Sequence, residues 1–315
     1  MSPTIDGDPM SDENAAAPQV SAVICTRNRG DKIAAAVSSV LSCDFPSFDL
    51  TIIDQSTDDL TRDAVAAIGD PRVHYVHSTE PGLSRAYNNG VRQSKGEILV
   101  FTDDDCLVEP DWITNVVKAF ESEPDGDLLY GRVVAAGTGA DDVALTPALD
   151  LQAPERLAKG EGYKVWGMGA DFAARRRLFD RAGYFDEMLG GGGPLWSSQD
   201  YDLAYRTYKS GGVILLRPEV YVRHDGRRED EDWPQLLLAY GSGDGAFYMK
   251  HVRCLDPRAT WLFAKQFGTT AAKVVAKTIL RRGDRDRYYL RGMVRGGRAS
   301  FKYGVDRRTR LYVER

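Results

Sequence analysis

The stretch ILVFTDDDCLVEP, Ile98 to Pro110, sets three consecutive carboxylates directly behind a run of apolar residues. Glu97–Thr102 reads as a central strand covered on both faces, because the run is almost continuously apolar. Asp103, Asp104 and Asp105 therefore fall where that strand ends, and helical spacing resumes over Asp111–Phe120. On an extended backbone Asp103 and Asp105 project to the same side, about 6.6 Å apart. Two carboxylates at roughly 7 Å repel by about 2.4 kcal/mol at an effective dielectric near 20. A divalent cation reverses that sign. Hard ions such as Mg2+ and Mn2+ take oxygen ligands and keep positions open for water or a substrate phosphate. The alternative is a solvated acidic turn leading into the helix that begins near Pro110.

Upstream, β-branched runs alternate with helical patterns. Val20–Cys25, Leu50–Asp54 and Arg72–His77 read as strands; Asp31–Leu41, Asp59–Ile68 and Ser84–Gln93 read as helices. Strand, helix, strand at this spacing predicts βαβ units and an α/β fold with a mostly parallel, Rossmann-like sheet flanked by helices. In such sheets ligands bind beyond the carboxyl ends of the strands, where Asp54 and the acidic triplet lie. Downstream, DLLYGRVVAA and GADFAARR read as strands around a loop-rich insert at Gly137–Gly162. A Gly-rich loop, Leu189–Trp196, precedes the helix DYDLAYRTYKS, and VILLR and VYVRH look like two closing strands. From about Asp232 the pattern is helical, with Gly interruptions and many Arg. The expected organisation is a disordered tail over 1–18, an α/β domain over 19–231 with halves 19–126 and 127–231, and a basic helical extension over 232–315.

Composition is that of a soluble globular protein: 315 residues, 43% hydrophobic and 28% charged. No stretch approaches the roughly 20 apolar residues needed to cross a bilayer. The acidic start has no secretory pattern, and Cys25, Cys43, Cys106 and Cys254 show no CxxC spacing, so a reducing cytoplasm is expected rather than a disulfide framework. Charge is lopsided. Residues 246–315 hold 18 Lys and Arg against 5 Asp and Glu, which leaves 23 against 41 in the rest. A basic tail of this kind suits an anionic membrane surface, with a helical layer on the acidic body or a dimer contact as the alternatives. It matches no RNA-binding motif, and no nucleic-acid partner is expected.

Several motifs carry a family resemblance. AVICTRNRGDKIAAAVSSVL, LTIIDQSTDD and GLSRAYNNGVRQSKGEILVFTDDDCLVEPDWI resemble the nucleotide-sugar half of glycosyltransferase family 2, an inverting family with the GT-A fold. GYFDEMLGGGGPLWSSQDYDLAYRTYKSGG is similar to the acceptor half, and together the match covers about residues 20–225. The resemblance implies a UDP- or dTDP-sugar donor, a glycan or lipid-linked acceptor, Mn2+ or Mg2+, and a role in cell-envelope polysaccharide synthesis on the inner face of a membrane. It sets Thr26 and Arg29 in the first loop near the nucleotide, and Asp54 on the uracil or thymine edge. Asp103 falls on ribose or metal, Asp104 on the sugar or solvent, and Asp105 is the main metal ligand. His224 completes the metal shell. Gly191 and Gly192, with Trp196, form a loop over the sugar. The chain departs from the pattern at three points: Gln55-Ser56, one residue shorter, stands for Asp-Gly-Ser; Tyr87 replaces an Arg, and Arg85, two residues earlier, is expected to reach the nucleotide instead; and Gln199 replaces a Glu.

Sugar transfer needs the acceptor hydroxyl deprotonated as it attacks. In SSQDYDLAYR the resemblance puts Asp200 on the base position, just inside a helix, whereas Asp202 points elsewhere and orients the helix or pairs with an Arg. Trp166 is a further candidate lining residue. Two other classes use similar parts: a sugar nucleotidyltransferase, for which CTRNRGDK is a poor phosphate loop, and a non-catalytic nucleotide-sugar binding module, which would lack the Asp200 motif.

Overall fold

The computed structural model describes residues 18–137, 146–163, 167–226, 228–281 and 285–315. The expected tail up to residue 17, part of the expected insert and Trp166 lie outside the described residues.

The alternating pattern builds β1 (Val20–Thr26), α1 (Gly30–Leu41), β2 (Phe48–Asp54), α2 (Leu60–Ala66), β3 (Val73–His77), α3 (Leu83–Gln93), β4 (Ile98–Asp103), β5 (Cys106–Val108) and α4 (Trp112–Ser122). β6 (Gly126–Ala135), β7 (Glu155–Leu157), β8 (Asp171–Arg175), α5 (Arg177–Ala182), α6 (Gln199–Lys209) and β9 (Val213–His224) follow. The described strands form a nine-stranded sheet in the order β3-β2-β1-β4-β8-β6-β9-β5, with β7 on β9. β3, β2, β1 and β4 run parallel, and β8 is antiparallel to both β4 and β6. Parallel strands are buried on both faces, which is why β1 and β4 carry apolar residues at successive positions. Val20, Ala22 and Ile24 join Ile33, Val37, Trp112 and Phe120 in one core; Val23 and Cys25 join Tyr87, Leu203 and Tyr205 in the other.

Three expectations are corrected. VILLR and VYVRH are one strand, β9, whose pairing with β6 jumps from Arg217 to Tyr221; Pro218 cannot donate to the ladder, so the strand bulges there instead of ending. The insert contains β7. Among the described residues, the Gly residues from 241 to 297 do not interrupt helices but lie within them: α7 (Trp233–Arg253), α8 (Pro257–Ile279) and α9 (Asp286–Ala299) are continuous. A 3-10 turn, Ser300–Lys302, and a hairpin, β10 (Gly304–Asp306) with β11 (Leu311–Val313), follow them.

Candidate active site

Sheet register assembles the acidic turn. β1 pairs β4 with Cys25 opposite Asp103, so Thr26 reaches across and donates from Oγ1 to Asp104 Oδ2 at 2.6 Å. Arg29, at the head of α1, forks over both following carboxylates: Nη1 to Asp104 Oδ1 at 2.6 Å and Nη2 to Asp105 Oδ2 at 2.8 Å. β5 pairs β9 with Cys106 opposite His224, which sets the imidazole Nε2 3.4 Å from Asp105 Oδ1. Burial alone would raise the Asp105 carboxyl, but His224 and Arg29 hold it well below the usual range. Asp103, between the strand end and the turn, is pushed up to about 7 by burial and by the Asp105 charge.

The residues fit a divalent ion. His224 Nδ1 lies 2.9 Å from the Pro147 carbonyl, which can only accept, so Nδ1 carries a proton and Nε2 is the ring atom left facing Asp105. Asp105 Oδ1 is buried and has no hydrogen-bond partner. Burial opposes a charge on the imidazole, but the Asp105 carboxylate outweighs it and raises the imidazole pKa, so positive charge is favoured between the two groups, and a divalent ion bound there would supply it in place of the proton. Cys106 belongs to the same cluster, with all ligand atoms within 4.8 Å of one another, although burial keeps its thiol protonated. Gly226 leaves room for this pair, since a Cβ there would overlap the His224 imidazole.

Two cavities meet at this turn. One, of about 440 Å³, is lined by Thr26, Arg27, Arg29, the three Asp residues, Gly191, Gly192, His224 and Arg228. The other, of about 970 Å³, holds Asp200 and a wall of aromatic side chains. Asp103, Leu83, Pro147, Met168 and Tyr240 border both. The Gly-rich loop closes the first cavity from the side of α3: Leu83 N donates to the Gly191 carbonyl at 2.8 Å, and Gly192, at φ 75°, lies against Gly82.

Asp200 sits in the first turn of α6, as expected, and accepts from the amides of Gly169 at 3.0 Å and Tyr201 at 2.9 Å. Burial nevertheless raises its carboxyl to about 6. Asp202 points the other way and bonds Arg206 Nε at 2.8 Å and Lys250 Nζ at 2.6 Å.

The structure does not bring every expected residue into the linings. Asp54 is fully buried; its oxygens accept from the Ser56 amide and the Tyr75 hydroxyl, both at 2.8 Å, and it holds the turn after β2. Arg85 pairs with Glu80 and Glu187. Trp196, at φ 68°, lies under the Arg295 guanidinium, 4.1 Å from the ring centroid, and packs with Leu189 and Leu195. Other residues enter unannounced. Gln55 clamps the 80–82 turn by bonding Glu80 O and Gly82 O and N. Tyr87 stands edge-on to the stacked pair Phe101 and Phe172 and lines the larger cavity beside Asp103. Asp244, from α7, lines the same cavity and accepts from Ser198 Oγ at 2.6 Å and from the Tyr289 hydroxyl. Ser198 directly precedes α6, so Asp244 fixes the start of the helix that carries Asp200. No local pattern marks Asp244, because it meets the site only through the packing of α7.

A family model described as Glycosyl transferase family 2 matches residues 21–182. The pre-mycofactocin glycosyltransferase of Mycobacterium tuberculosis is 25% identical over 183 residues, 57% of this chain and 37% of that protein, so the match spans little more than a third of the relative's length. Glycosyltransferase AglE of Haloferax volcanii is 24% identical over 211 residues, 64% of this chain and 67% of that protein. Among solved structures, the mannosyltransferase PcManGT of Pyrobaculum calidifontis, in complex with GDP-Man and Mn2+, superposes with a TM-score of 0.60 at 19% identity, covering 91% of this chain and 87% of that one. TarS of S. aureus in complex with UDP-GlcNAc gives 0.54 at 16%, covering 72% and 66%. With the family model spanning half the chain, the chain belongs to glycosyl transferase family 2, and its fold is the GT-A fold of the solved glycosyltransferases.

Proposed function

We propose that this enzyme moves a sugar from a UDP- or dTDP-sugar to a hydroxyl of a glycan or lipid-linked acceptor, in one displacement that inverts the anomeric centre. The observation that carries this reading is the meeting of two cavities at Asp103, with the Asp105–His224 pair on one side and Asp200 on the other. A polar, arginine-lined cleft suits a nucleoside diphosphate; a larger, aromatic-walled one suits an acceptor. The choice of uridine or thymidine rests on the family resemblance alone, because Ser56 and Tyr75 take the oxygens of Asp54 at the β2 end.

Mn2+ or Mg2+ would be held by Asp105 and His224, with Asp103 alongside; when bound, such an ion neutralises charge building on the departing diphosphate. Arg29 holds Asp104 and Asp105 in place through its two nitrogens. Asp200 takes the proton from the acceptor hydroxyl as its oxygen bonds to the anomeric carbon. The bond from that carbon to the diphosphate oxygen breaks on the opposite face, which gives inversion. The amides of Gly169 and Tyr201 hold the carboxylate still without protonating it, and Asp244 steadies the α6 start.

The test is turnover of UDP- and dTDP-sugars with Mn2+ by the wild type and Asp200→Asn. The expected result is loss of transfer by at least about 10²-fold with nucleotide binding retained. Full activity in Asp200→Asn would remove the base assignment.

A further inference from the structure

α8 is the anomaly of the extension. It runs 23 residues, yet only Ala259 and Thr270 in it are buried. α7 and α9 pack against the body and each other, so the sequence expectation for residues 246–315 as a whole narrows to this one helix. Along α8, Trp261, Ala264, Gly268, Ala272, Val275 and Ile279 follow one another at spacings of three and four, and all are exposed. Such a seam is one face of a helix, and here it looks into solvent.

The charge beside the seam is of one sign. From Pro257 to Arg281 there are basic residues at 258, 265, 273, 277 and 281 and no Asp or Glu. Two acidic groups that contact the helix are committed: Asp256 caps it and pairs with Lys209 and Arg310, and Asp286 meets Lys277. A second copy of the chain laid along this seam would bring Lys265 and Lys273 toward their own counterparts with no acidic residue on the helix to answer them. An anionic surface answers them all at once.

We propose that the outer face of α8 rests on an anionic lipid surface. Trp261 sits at the headgroup level, Val275 and Ile279 enter the acyl boundary, and Lys265 and Lys273 meet lipid phosphates. The proposal gives the site a direction. Trp261, Leu262, Lys265 and Gln266 also wall the cavity that holds Asp200, so an acceptor carried in the lipid surface enters beside α8. That last step rests on the reading of this cavity as the acceptor site; the docking itself does not.

The full chain is sedimented with phosphatidylcholine vesicles containing about one third phosphatidylglycerol, and with phosphatidylcholine alone. Binding is expected to the anionic vesicles only, and to fall by about tenfold or more between low and high salt. The pair Val275→Glu with Ile279→Glu, and separately Lys273→Glu, should each weaken it by about tenfold or more with an unchanged thermal midpoint. Equal binding by these variants, or none by the wild type at low salt, overturns the proposal. So does a wild-type dimer in sedimentation velocity that Val275→Glu with Ile279→Glu converts to monomer, since a second copy then covers the seam. UDP with Mn2+, followed by thermal shift in the same proteins, reports on the donor reading alone: its failure leaves the vesicle result standing, and the reverse.

Discussion

Asp200 meets two opposing demands. Two backbone amides favour its charged form, while burial disfavours it and wins, leaving the carboxyl at about 6. A base must be ionised to accept a proton, so kcat/KM should fall as pH drops through about 6 and level off above it. A pH profile that stays flat from 5 to 8 in chemistry-limited turnover would contradict that role. Asp171 offers a stability test. It is buried against Trp112, whose indole donates at 3.0 Å, and burial raises its carboxyl to about 8. Folded, it keeps a proton that the unfolded chain releases near 3.9. Between those values the folded state binds more protons, so the stability tied to this group is complete below the lower value and declines as pH rises toward 8, by at most about 1.4 kcal/mol per unit. Asp171→Asn should lose that decline: urea titrations at pH 5.5 and 8 are expected to separate wild type and variant by more at one pH than at the other.

At the scale of elements, glycine decides how the extension packs. A Cβ on Gly241 would overlap the Tyr289 carbonyl, one on Gly245 the Met293 carbonyl, and one on Gly296 the Ser242 carbonyl. α7 and α9 therefore touch backbone to backbone. Gly268, on the exposed side of α8, has open space around it. Gly296→Ala is expected to cost about 1–3 kcal/mol, and Gly268→Ala to stabilise by roughly 0.5–1 kcal/mol, both read by thermal or urea unfolding. Equal effects would mean that α7 and α9 are not packed this closely. The same residues show what is legible in a sequence. β1 to β4 were readable because continuous apolar runs between helical patterns have few other interpretations. β5, β7 and the terminal hairpin strands have three residues each, too few for a period to appear. The glycines of α7 read as breaks because their use, close approach to another helix, is tertiary. The motifs that pointed to Asp103 to Asp105, Asp200 and His224 picked out residues that line the two adjoining cavities. Trp196 and Asp54 were placed in the site by motif too, yet Arg295 covers the first and Ser56 and Tyr75 occupy the second.

Across the whole molecule, the opposed charges of body and extension meet in the interior. Lys250, fully buried on α7, contacts Asp186 below the Gly-rich loop and Asp202 on the base helix, each at 2.6 Å. Asp202 also bonds His251, whose imidazole burial pushes down to about 4. The extension is thus bonded both to the segment leading into the Gly-rich loop and to the helix that carries Asp200. Lys250→Met would leave two buried carboxylates short of a partner and should cost about 3–5 kcal/mol, measured by urea unfolding; a loss under about 1 kcal/mol would show that the tie is incidental. All of this architecture converges on the acidic turn that ends β4, and the claim at its centre is that the turn holds a divalent ion and a nucleoside diphosphate together. Isothermal calorimetry of UDP and of dTDP, with Mn2+ and with EDTA, on the wild type and Asp105→Ala tests it most directly. The expected result is binding that requires Mn2+ and is lost in Asp105→Ala. Nucleotide binding of equal strength in EDTA, or in the variant, would contradict it.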